Sequence, residues 1–221
     1  MDMLRPPKRL AVLASGGGTN LQAIIDAIQE NRLDAEICLV AGNRPGAGAF
    51  TRAEAAGIPT CLIDHTTFSN REDFDEAMQN AIDAHQPDYV VLAGFMRILT
   101  PGFVNHYAGR LLNIHPSLLP AYPGLHTHRR AIEAGDHRHG ASVHFVTQDL
   151  DGGPVILQGE VPVFPEDTPN QLADRVLVQE HVIYPMVLQW LCEDRLKLVN
   201  DKVILDETPL GSQGLAFNAP H

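Results

Sequence analysis

Asn113 and His115 stand at the end of an apolar segment, Leu111-Leu112-Asn113-Ile114-His115. Side chains two residues apart on a strand project from the same face, so this spacing places a carboxamide beside an imidazole. A carboxamide can donate a hydrogen bond to a developing oxyanion, and an imidazole moves protons near neutral pH. Pro116 follows directly and favours extended backbone at His115. The alternative is that both side chains only hydrogen-bond the backbone of the following loop.

Asp151-Gly152-Gly153-Pro154 has, by itself, the composition of a turn. It gains a chemical interpretation if the turn folds back over His115, because the Asp151 carboxylate would then stabilise the charged form of the imidazole. The sequence leaves both interpretations open.

A glycine-rich segment, Ser15-Gly16-Gly17-Gly18-Thr19-Asn20, lies between an apolar strand-like segment and an amphipathic helix-like one. Backbone N–H groups and the helix dipole can converge on a phosphate at such a place. The segment matches neither the GxGxxG pattern of dinucleotide sites nor a P-loop, which disfavours a dinucleotide. The alternative is a tight turn in which Thr19 or Ser15 caps the helix.

The segment Gly94-Phe95-Met96-Arg97-Ile98-Leu99 follows another strand-like run and has the composition of a pocket wall for a flat heterocycle. A core loop that carries one solvated arginine is the equal alternative.

Six of the 11 histidines lie between His115 and His144, which raises the hypothesis of a zinc hydrolase. The segment has neither HxxxH on a helix nor a nearby cysteine pair. The pairs His126/His128 and His137/His139 fall where we expect loop and helix start rather than strand. The sequence therefore favours a site without metal.

The strand-like and helix-like segments alternate, which predicts an α/β protein with a single open sheet. We expect a parallel N-terminal half over 9–108, a mixed C-terminal half over 109–199, and flexible tails over 1–8 and 206–221. Strands are predicted at 9–14, 35–41, 60–63, 88–93, 111–114, 141–146 and 155–163, helices at 19–30, 47–56, 71–85 and 170–194, and a hairpin at 196–205. Ligands of such sheets bind beyond the carboxyl ends of the strands, where the loops over 15–20, 94–100 and 115–128 fall.

Composition excludes several classes of protein. The net charge of −11 is opposite to what binding a phosphate backbone requires, so we expect no nucleic-acid partner. No apolar run is long enough to span a membrane, and the N-terminus lacks the apolar core of a secretory signal. We therefore expect a cytoplasmic protein with no membrane partner, whose three cysteines are reduced.

Together these segments resemble the folate-dependent formyltransferase family, and most closely its glycinamide ribonucleotide branch. The resemblance covers about 10–198 and rests on SGGGTNLQAII, VVLAGFMRIL, GRLLNIHPSLLPAYPGLHTHRRAIEAGD, GASVHFVTQDLDGGPVILQ and QEHVIYP. It implies the formyltransferase fold, whose N-terminal half is Rossmann-like. It also implies formyl transfer from 10-formyltetrahydrofolate to the amine of glycinamide ribonucleotide in purine biosynthesis, by a monomer or homodimer that needs no metal, NAD or ATP.

The resemblance also assigns residues. It implies that Asn113, His115 and Asp151 are catalytic, and that His144 lies near the reacting centre. For the ribonucleotide it implies Gly18, Thr19, Asn20, Pro116 and Glu180. For the folate it implies Arg71, Met96, Arg97, Ile98 and Leu99, with Asn113 and the backbone at Asp151. Two positions depart from relatives: Gly17 replaces a bulkier residue, and Leu177 replaces a polar one and puts one substrate contact in doubt.

Three rival functions stay open at this point. The nearest is another folate formyl enzyme, either a formyltetrahydrofolate hydrolase, which would release formate without an acceptor, or a transferase that uses a different amine acceptor. A non-catalytic phosphosugar-binding domain would bind ligand without turnover, with Asn113 and His115 structural. A zinc hydrolase would carry bound metal.

Overall fold

A computed structural model describes residues 5–218 of the chain, which form one eight-stranded sheet, a small three-stranded sheet and six α-helices in that range. The strands are β1 Lys8–Ala14, β2 Ala35–Gly42, β3 Thr60–Leu62, β4 Tyr89–Leu92, β5 Leu111–His115, β6 Arg138–Phe145, β7 Val155–Pro162, β8 Leu196–Val199, β9 Lys202–Leu205, β10 Thr208–Pro209 and β11 Leu215–Phe217. The helices are α1 Thr19–Gln29, α2 Gly48–Ala55, α3 Arg71–Asp83, α4 Pro101–His106, α5 Thr127–Glu133 and α6 Pro169–Cys192.

The large sheet has the order β11-β7-β6-β5-β4-β1-β2-β3. Strands β3, β2, β1, β4 and β5 are parallel, whereas β6 runs antiparallel to both β5 and β7. The prediction of a parallel first half and a mixed second half is therefore confirmed. The carboxyl ends of β1, β4 and β5 lie side by side at one edge of the sheet, where the order switches direction.

The core divides into two clusters, one on each face of the sheet. Successive residues of β1 alternate between them, with Leu10 and Val12 in one cluster and Ala11 and Leu13 in the other. The first cluster contains apolar residues of α1, α2 and α6, and the second those of α3 and α4. Two covered faces explain why β4 and residues 10–14 of β1 are apolar.

Helix α6 ties this core to the strand ends. It begins with a capping box in which Thr168 and Gln171 satisfy each other's backbone N–H groups. One side chain near its middle, Tyr184, is fully buried and donates its hydroxyl to the carbonyl of Leu92 at 2.7 Å. The end of β4 is thereby fixed just before the loop that begins at Gly94.

Several sequence predictions of local structure were wrong. The connections after β4 and β5 contain the short helices α4 and α5, and His139 lies within β6 rather than at a helix start. The expected flexible tail over 206–221 is ordered where β10 pairs with β9 and where β11 pairs with β7. Residues 1–4 of the expected N-terminal tail and 219–221 of the C-terminal one lie outside the described residues. Between residues 5 and 218, no helix is long and apolar enough to cross a membrane.

Candidate active site

His115 ends β5 as a buried side chain, 6% exposed, whose two ring nitrogens face different partners. Its Nε2 lies 2.8 Å from the backbone carbonyl oxygen of Tyr122. A carbonyl only accepts hydrogen bonds, so Nε2 carries a proton in either charge state of the ring. Its Nδ1 lies 3.5 Å from Oδ1 of Asp151. A proton on Nδ1 therefore gives an imidazolium that faces a carboxylate.

The turn at Asp151 folds back over His115. This is the arrangement in which the carboxylate can stabilise a charged imidazole. Asp151 itself has a left-handed backbone, with φ of 51°, and its Oδ2 accepts the N–H of Gly124 at 2.8 Å. A Cβ at Gly153 would collide with the carbonyl oxygen of Phe145, so only glycine allows the chain to pass there. The turn thus holds the carboxylate against the loop that follows β5.

Asn113 is oriented by His144, its cross-strand neighbour on β6. The Nδ1 of His144 lies 2.9 Å from the carbonyl oxygen of Phe145, which places the proton on Nδ1 and leaves Nε2 to accept. Nδ2 of Asn113 lies 3.3 Å from that Nε2. Burial lowers the pKa of His144, so this ring is neutral and Asn113 donates to it. The half-buried Asn113 keeps a second amide N–H for the space beside His115.

The glycine-rich segment uses its carbonyl groups to hold itself in place. The carbonyl of Gly16 accepts the N–H of Ala49 at 3.1 Å, and that of Gly17 accepts Nε of Arg52 at 2.7 Å. The carbonyl of Gly18 accepts the first hydrogen bond of α1. The first N–H groups of a helix have no intrahelical acceptor, so those at the start of α1 can bind an anion while the carbonyls of the segment hold it in place.

Gly18 caps α1 with a left-handed backbone, φ of 75°, and no side-chain cap. A Cβ at this position would lie 2.7 Å from the Cα of Ala49. The alternative in which Thr19 or Ser15 caps the helix is therefore wrong.

Glu180 of α6 is buried against Asn20 of α1. Its Oε1 accepts Nδ2 of Asn20 at 3.1 Å, and burial raises the pKa of Glu180 to about 7 although this hydrogen bond opposes the shift. Oδ1 of Asn20 is buried without a partner among the described residues. The pair therefore has an unused acceptor and a carboxyl group that ionises near neutral pH.

The loop after β4 meets Arg71 at the start of α3. Nη2 of Arg71 donates to the carbonyl of Ile98 at 2.6 Å. Met96 and Ile98 are 56% and 60% exposed, whereas the guanidinium of Arg97 lies over the ring of Phe74 at 4.6 Å. The alternative interpretation of this loop expects a solvated arginine, but Arg97 is half-buried and stacked on an aromatic ring. The exposed side chains are instead the apolar ones of Met96 and Ile98. Leu99 is half-buried beside them.

The residues singled out from the sequence thus fall into three contact groups: the β5 end with Asp151 and His144, the α1 start with Glu180, and the loop after β4 with Arg71. Pro116 belongs to the first group, and its carbonyl accepts the hydroxyl of Thr127 at 2.6 Å. Neither Glu180 nor Arg71 makes a hydrogen bond to His115 within the described part of the chain.

Sequence reasoning missed the group that holds Nε2 of His115. That group is the backbone carbonyl of Tyr122. The side-chain hydroxyl of Tyr122 in turn donates to Asp136 at 2.5 Å. Beside Tyr122 lie the half-buried His128 and the buried His139, whose ring centroids are 5.2 Å apart. Across residues 5–218, no cluster of three or more His, Cys, Asp or Glu side chains has the geometry of a metal site.

Comparison with known proteins identifies the class as a formyl transferase. The sequence profile of the formyl transferase family matches residues 8–188, and the chain belongs to this family. Among its relatives is the phosphoribosylglycinamide formyltransferase of Escherichia coli, which is 54% identical over 207 residues that cover 94% of this chain and 98% of the relative. The human trifunctional purine biosynthetic protein adenosine-3 is 45% identical over 190 residues, covering 86% of this chain and 19% of that protein.

Solved structures agree with this assignment. A phosphoribosylglycinamide formyltransferase from Coxiella burnetii superimposes with a TM-score of 0.92 at 52% identity, covering 96% of this chain and all of that one. A formyltetrahydrofolate deformylase from Pseudomonas syringae has a TM-score of 0.84 at 28% identity and covers 90% of this chain and 66% of its own. The family fold thus serves both transfer and hydrolysis, and the site must distinguish them.

Proposed function

We propose that this protein transfers the formyl group of 10-formyltetrahydrofolate to the amine of glycinamide ribonucleotide, giving N-formylglycinamide ribonucleotide and tetrahydrofolate in purine biosynthesis. The observation that carries the proposal is the approach of Asp151 to His115 beside Asn113, at the strand edge that also carries the glycine-rich segment. Proton transfer, oxyanion stabilisation and phosphate binding thereby share one edge of the sheet.

The reaction begins when the neutral amine of the ribonucleotide attacks the formyl carbon. The carbonyl oxygen of the intermediate becomes negative, and the attacking nitrogen becomes positive. We assign Asn113 Nδ2 and the Nδ1–H of charged His115 as donors to that oxygen. Because Nε2 of His115 is committed to Tyr122, Nδ1 is the ring nitrogen that faces the reacting group. Donors that act only where charge develops lower the barrier rather than tighten ground-state binding.

Asp151 has two tasks in this scheme. Its carboxylate stabilises the charged ring of His115, from which it is separated by 3.5 Å. Through a water molecule, it takes the proton from the attacking nitrogen and passes it to N10 of the folate. The bond from the formyl carbon to N10 then breaks, and that proton leaves on tetrahydrofolate. His115 donates a hydrogen bond throughout and keeps its proton, and Asp151 gives up the proton that it took, so the enzyme ends in its starting state.

The two substrates take opposite sides of this centre in the proposal. Gly18, Thr19 and Asn20 hold the phosphate of the ribonucleotide, Glu180 accepts its ribose hydroxyls, and Pro116 lines its path. Arg71, Met96, Arg97, Ile98 and Leu99 form the folate side, closed by the backbone at Asp151. The Arg71 bond to Ile98 supports treating these folate residues as one surface.

The test is a turnover assay with purified protein in chelator. We expect loss of 10-formyltetrahydrofolate only when glycinamide ribonucleotide is present, with no free formate. Release of formate without the ribonucleotide would instead make the protein a deformylase. Binding of either ligand without turnover would make it a binding protein, and turnover abolished by chelator would restore the zinc hypothesis.

Domain limits and cellular state complete the proposal. We propose that 9–199 is one functional domain, in which 9–108 carries the phosphate-binding segment together with the loop after β4, and 109–199 carries the catalytic residues and the backbone that closes over the folate. The protein works in the cytoplasm as a monomer or homodimer, without nucleic acid or membrane. Sedimentation of the protein alone, and with an added DNA duplex, checks the oligomeric state and the absence of nucleic-acid binding.

A further inference from the structure

Ser15 belongs by sequence to the glycine-rich segment, yet its contacts lead to the loop after β4. Its backbone N–H donates to the carbonyl of Gly94 at 3.1 Å. Its hydroxyl oxygen accepts the backbone N–H of Met96 at 2.8 Å. The same hydroxyl donates to Oδ1 of Asn43 at 2.6 Å. Ser15 is 3% exposed, so water does not replace these partners.

Asn43 fixes the direction of the Ser15 hydroxyl. This residue follows β2 and is 1% exposed. On its other side, Nδ1 of His65 lies 2.9 Å from its backbone carbonyl and 3.1 Å from its Nδ2. A serine hydroxyl has one proton and two lone pairs. Since the proton goes to Asn43, a lone pair is left for Met96, and the bond to Met96 is fixed in direction.

In the loop after β4, the side chains of Phe95 and Leu99 pack against the core, whereas the residues between them depend more on backbone hydrogen bonds. Met96 and Ile98 present most of their surface to solvent. Two polar contacts hold the backbone at these residues, one from Ser15 to the N–H of Met96 and one from Arg71 to the carbonyl of Ile98. Loss of either contact should increase the mobility of the backbone that carries the exposed side chains of Met96 and Ile98.

We infer that Ser15 is a positioning residue for the folate loop: its hydroxyl fixes Met96 and thereby shapes the folate surface, although its sequence neighbours serve the phosphate. This inference rests on the proposed function for its kinetic consequence, but the tether itself is independent of it. The Ser15→Ala change leaves the N–H of Met96 and Oδ1 of Asn43 without partners. We expect the KM for 10-formyltetrahydrofolate to rise about tenfold, with the KM for the ribonucleotide within about twofold of wild type.

Thr19→Ala is the matched comparison, because it also removes a hydroxyl from the same segment. Thr19 is exposed at the start of α1, on the proposed phosphate side. We expect the reverse pattern there, a raised KM for the ribonucleotide with unchanged KM for the folate. Amide hydrogen exchange over 94–99 gives a readout that needs no substrate: it should quicken in Ser15→Ala and stay at the wild-type rate in Thr19→Ala.

The outcomes separate the inference from the proposed function. Faster exchange over 94–99 with a raised folate KM supports it. Unchanged exchange, or a rise confined to the ribonucleotide KM, overturns it. If wild-type protein shows no turnover, the proposed function fails, and the exchange comparison still decides the tether. Should Ser15→Ala not fold, Asn43→Ala replaces it: this variant frees the Ser15 proton and is expected to give the same folate-selective change in weaker form.

Discussion

His115 uses its two ring nitrogens for different purposes, and this difference predicts how its replacement behaves. Nε2 is held by Tyr122, and Nδ1 faces Asp151. Removing one oxyanion donor typically costs about 10²–10³ in turnover. We therefore expect His115→Ala to lower kcat by at least about that factor with modest change in either KM. Asp151→Asn, which keeps the shape but removes the charge, should also lower kcat.

The control for this prediction is His106→Ala, which removes a partly exposed imidazole paired with Asp83 at 2.7 Å. Steady-state kinetics should find this variant close to wild type. Near-normal kcat in both His115→Ala and Asp151→Asn, at saturating substrates, would show that the centre lies elsewhere.

Glu180 is the residue at which stability and function oppose each other. Burial raises its pKa to about 7, so the folded protein holds a proton there that the unfolded chain releases above about pH 4.5. A raised carboxyl pKa means that stability falls as pH rises from about 4.5 to 7 and stays low above. Glu180→Gln removes this penalty. We expect it to stabilise the protein by about 3 kcal/mol at pH 8 and to have little effect at pH 4.5.

The introduced amide also has an acceptor available, Oδ1 of Asn20, which is buried without a partner among the described residues. Urea denaturation at the two pH values measures the effect, with the exposed Glu160→Gln as control. The same Glu180→Gln variant should raise the KM for the ribonucleotide, because the carboxylate is lost. A stability change of equal size at both pH values would contradict the assigned pKa.

At the scale of elements, the glycines between β1 and α1 differ in how much the protein depends on them. Gly18 has a positive φ, and a Cβ there would meet Ala49, whereas a Cβ at Gly16 meets nothing within 4 Å. A left-handed residue with a side chain costs about 1–2 kcal/mol before any clash. We expect Gly18→Ala to destabilise the protein by more than this and to raise the KM for the ribonucleotide. Gly16→Ala should fall within about 1 kcal/mol of wild type in thermal unfolding. Equal effects of the two changes would refute the role of the Gly18 backbone.

Helices and strands with clear apolar periodicity were predictable from the sequence. Helix α4 and strand β11 were missed because they lack such a local pattern. Strand β1 and helix α1 carry clear apolar periodicity. Helix α4 has six residues, too few to show a period, and its start rests on Pro101 and the cap by Thr100. Strand β11 exists because it pairs with β7 about sixty residues earlier, which no local pattern reports. Pairing across long sequence separations is decided by the whole fold.

In the candidate site, too, local spacing was predictable and contacts over long sequence separations were not. Asn113 and His115 were predictable because a period of two places their side chains together. The turn at Asp151 was predictable as a turn, but its approach to His115 depends on how β6 and β7 return beside β5. The bonds of Tyr122 to His115 and of Met96 to Ser15 use backbone groups that every residue has. Such partners carry no signal in residue type and require coordinates.

At the scale of the molecule, four buried or half-buried histidines contribute to stability against acid. Burial lowers the pKa of His128, His139, His144 and His181, that of His139 to about 4. The unfolded chain binds protons at these histidines below about pH 6.5, and the folded chain resists them. The stability that these histidines contribute is therefore fully present above pH 6.5 and is lost as pH falls towards 4. Glu180 acts in the opposite direction over the same pH range, with a pKa shift as large as that of His139, so the histidine contribution is measured in a variant that lacks the Glu180 carboxyl group.

In the Glu180→Gln background, which removes the opposing carboxyl group, we expect the free energy of unfolding, measured in urea at 0.15 M salt, to fall between pH 7.5 and pH 5.5. His139 alone should account for about 1 kcal/mol of that loss. Relief of repulsion within a chain of net charge −11 works against the loss, but surface charges are largely screened at this salt. His139→Gln should flatten the pH dependence, and His106→Gln at the surface should not. Stability that is level or rising towards pH 5.5 would mean that the buried histidines take up protons in the folded state, and that the cluster behind His115 is more open to solvent than its packing implies.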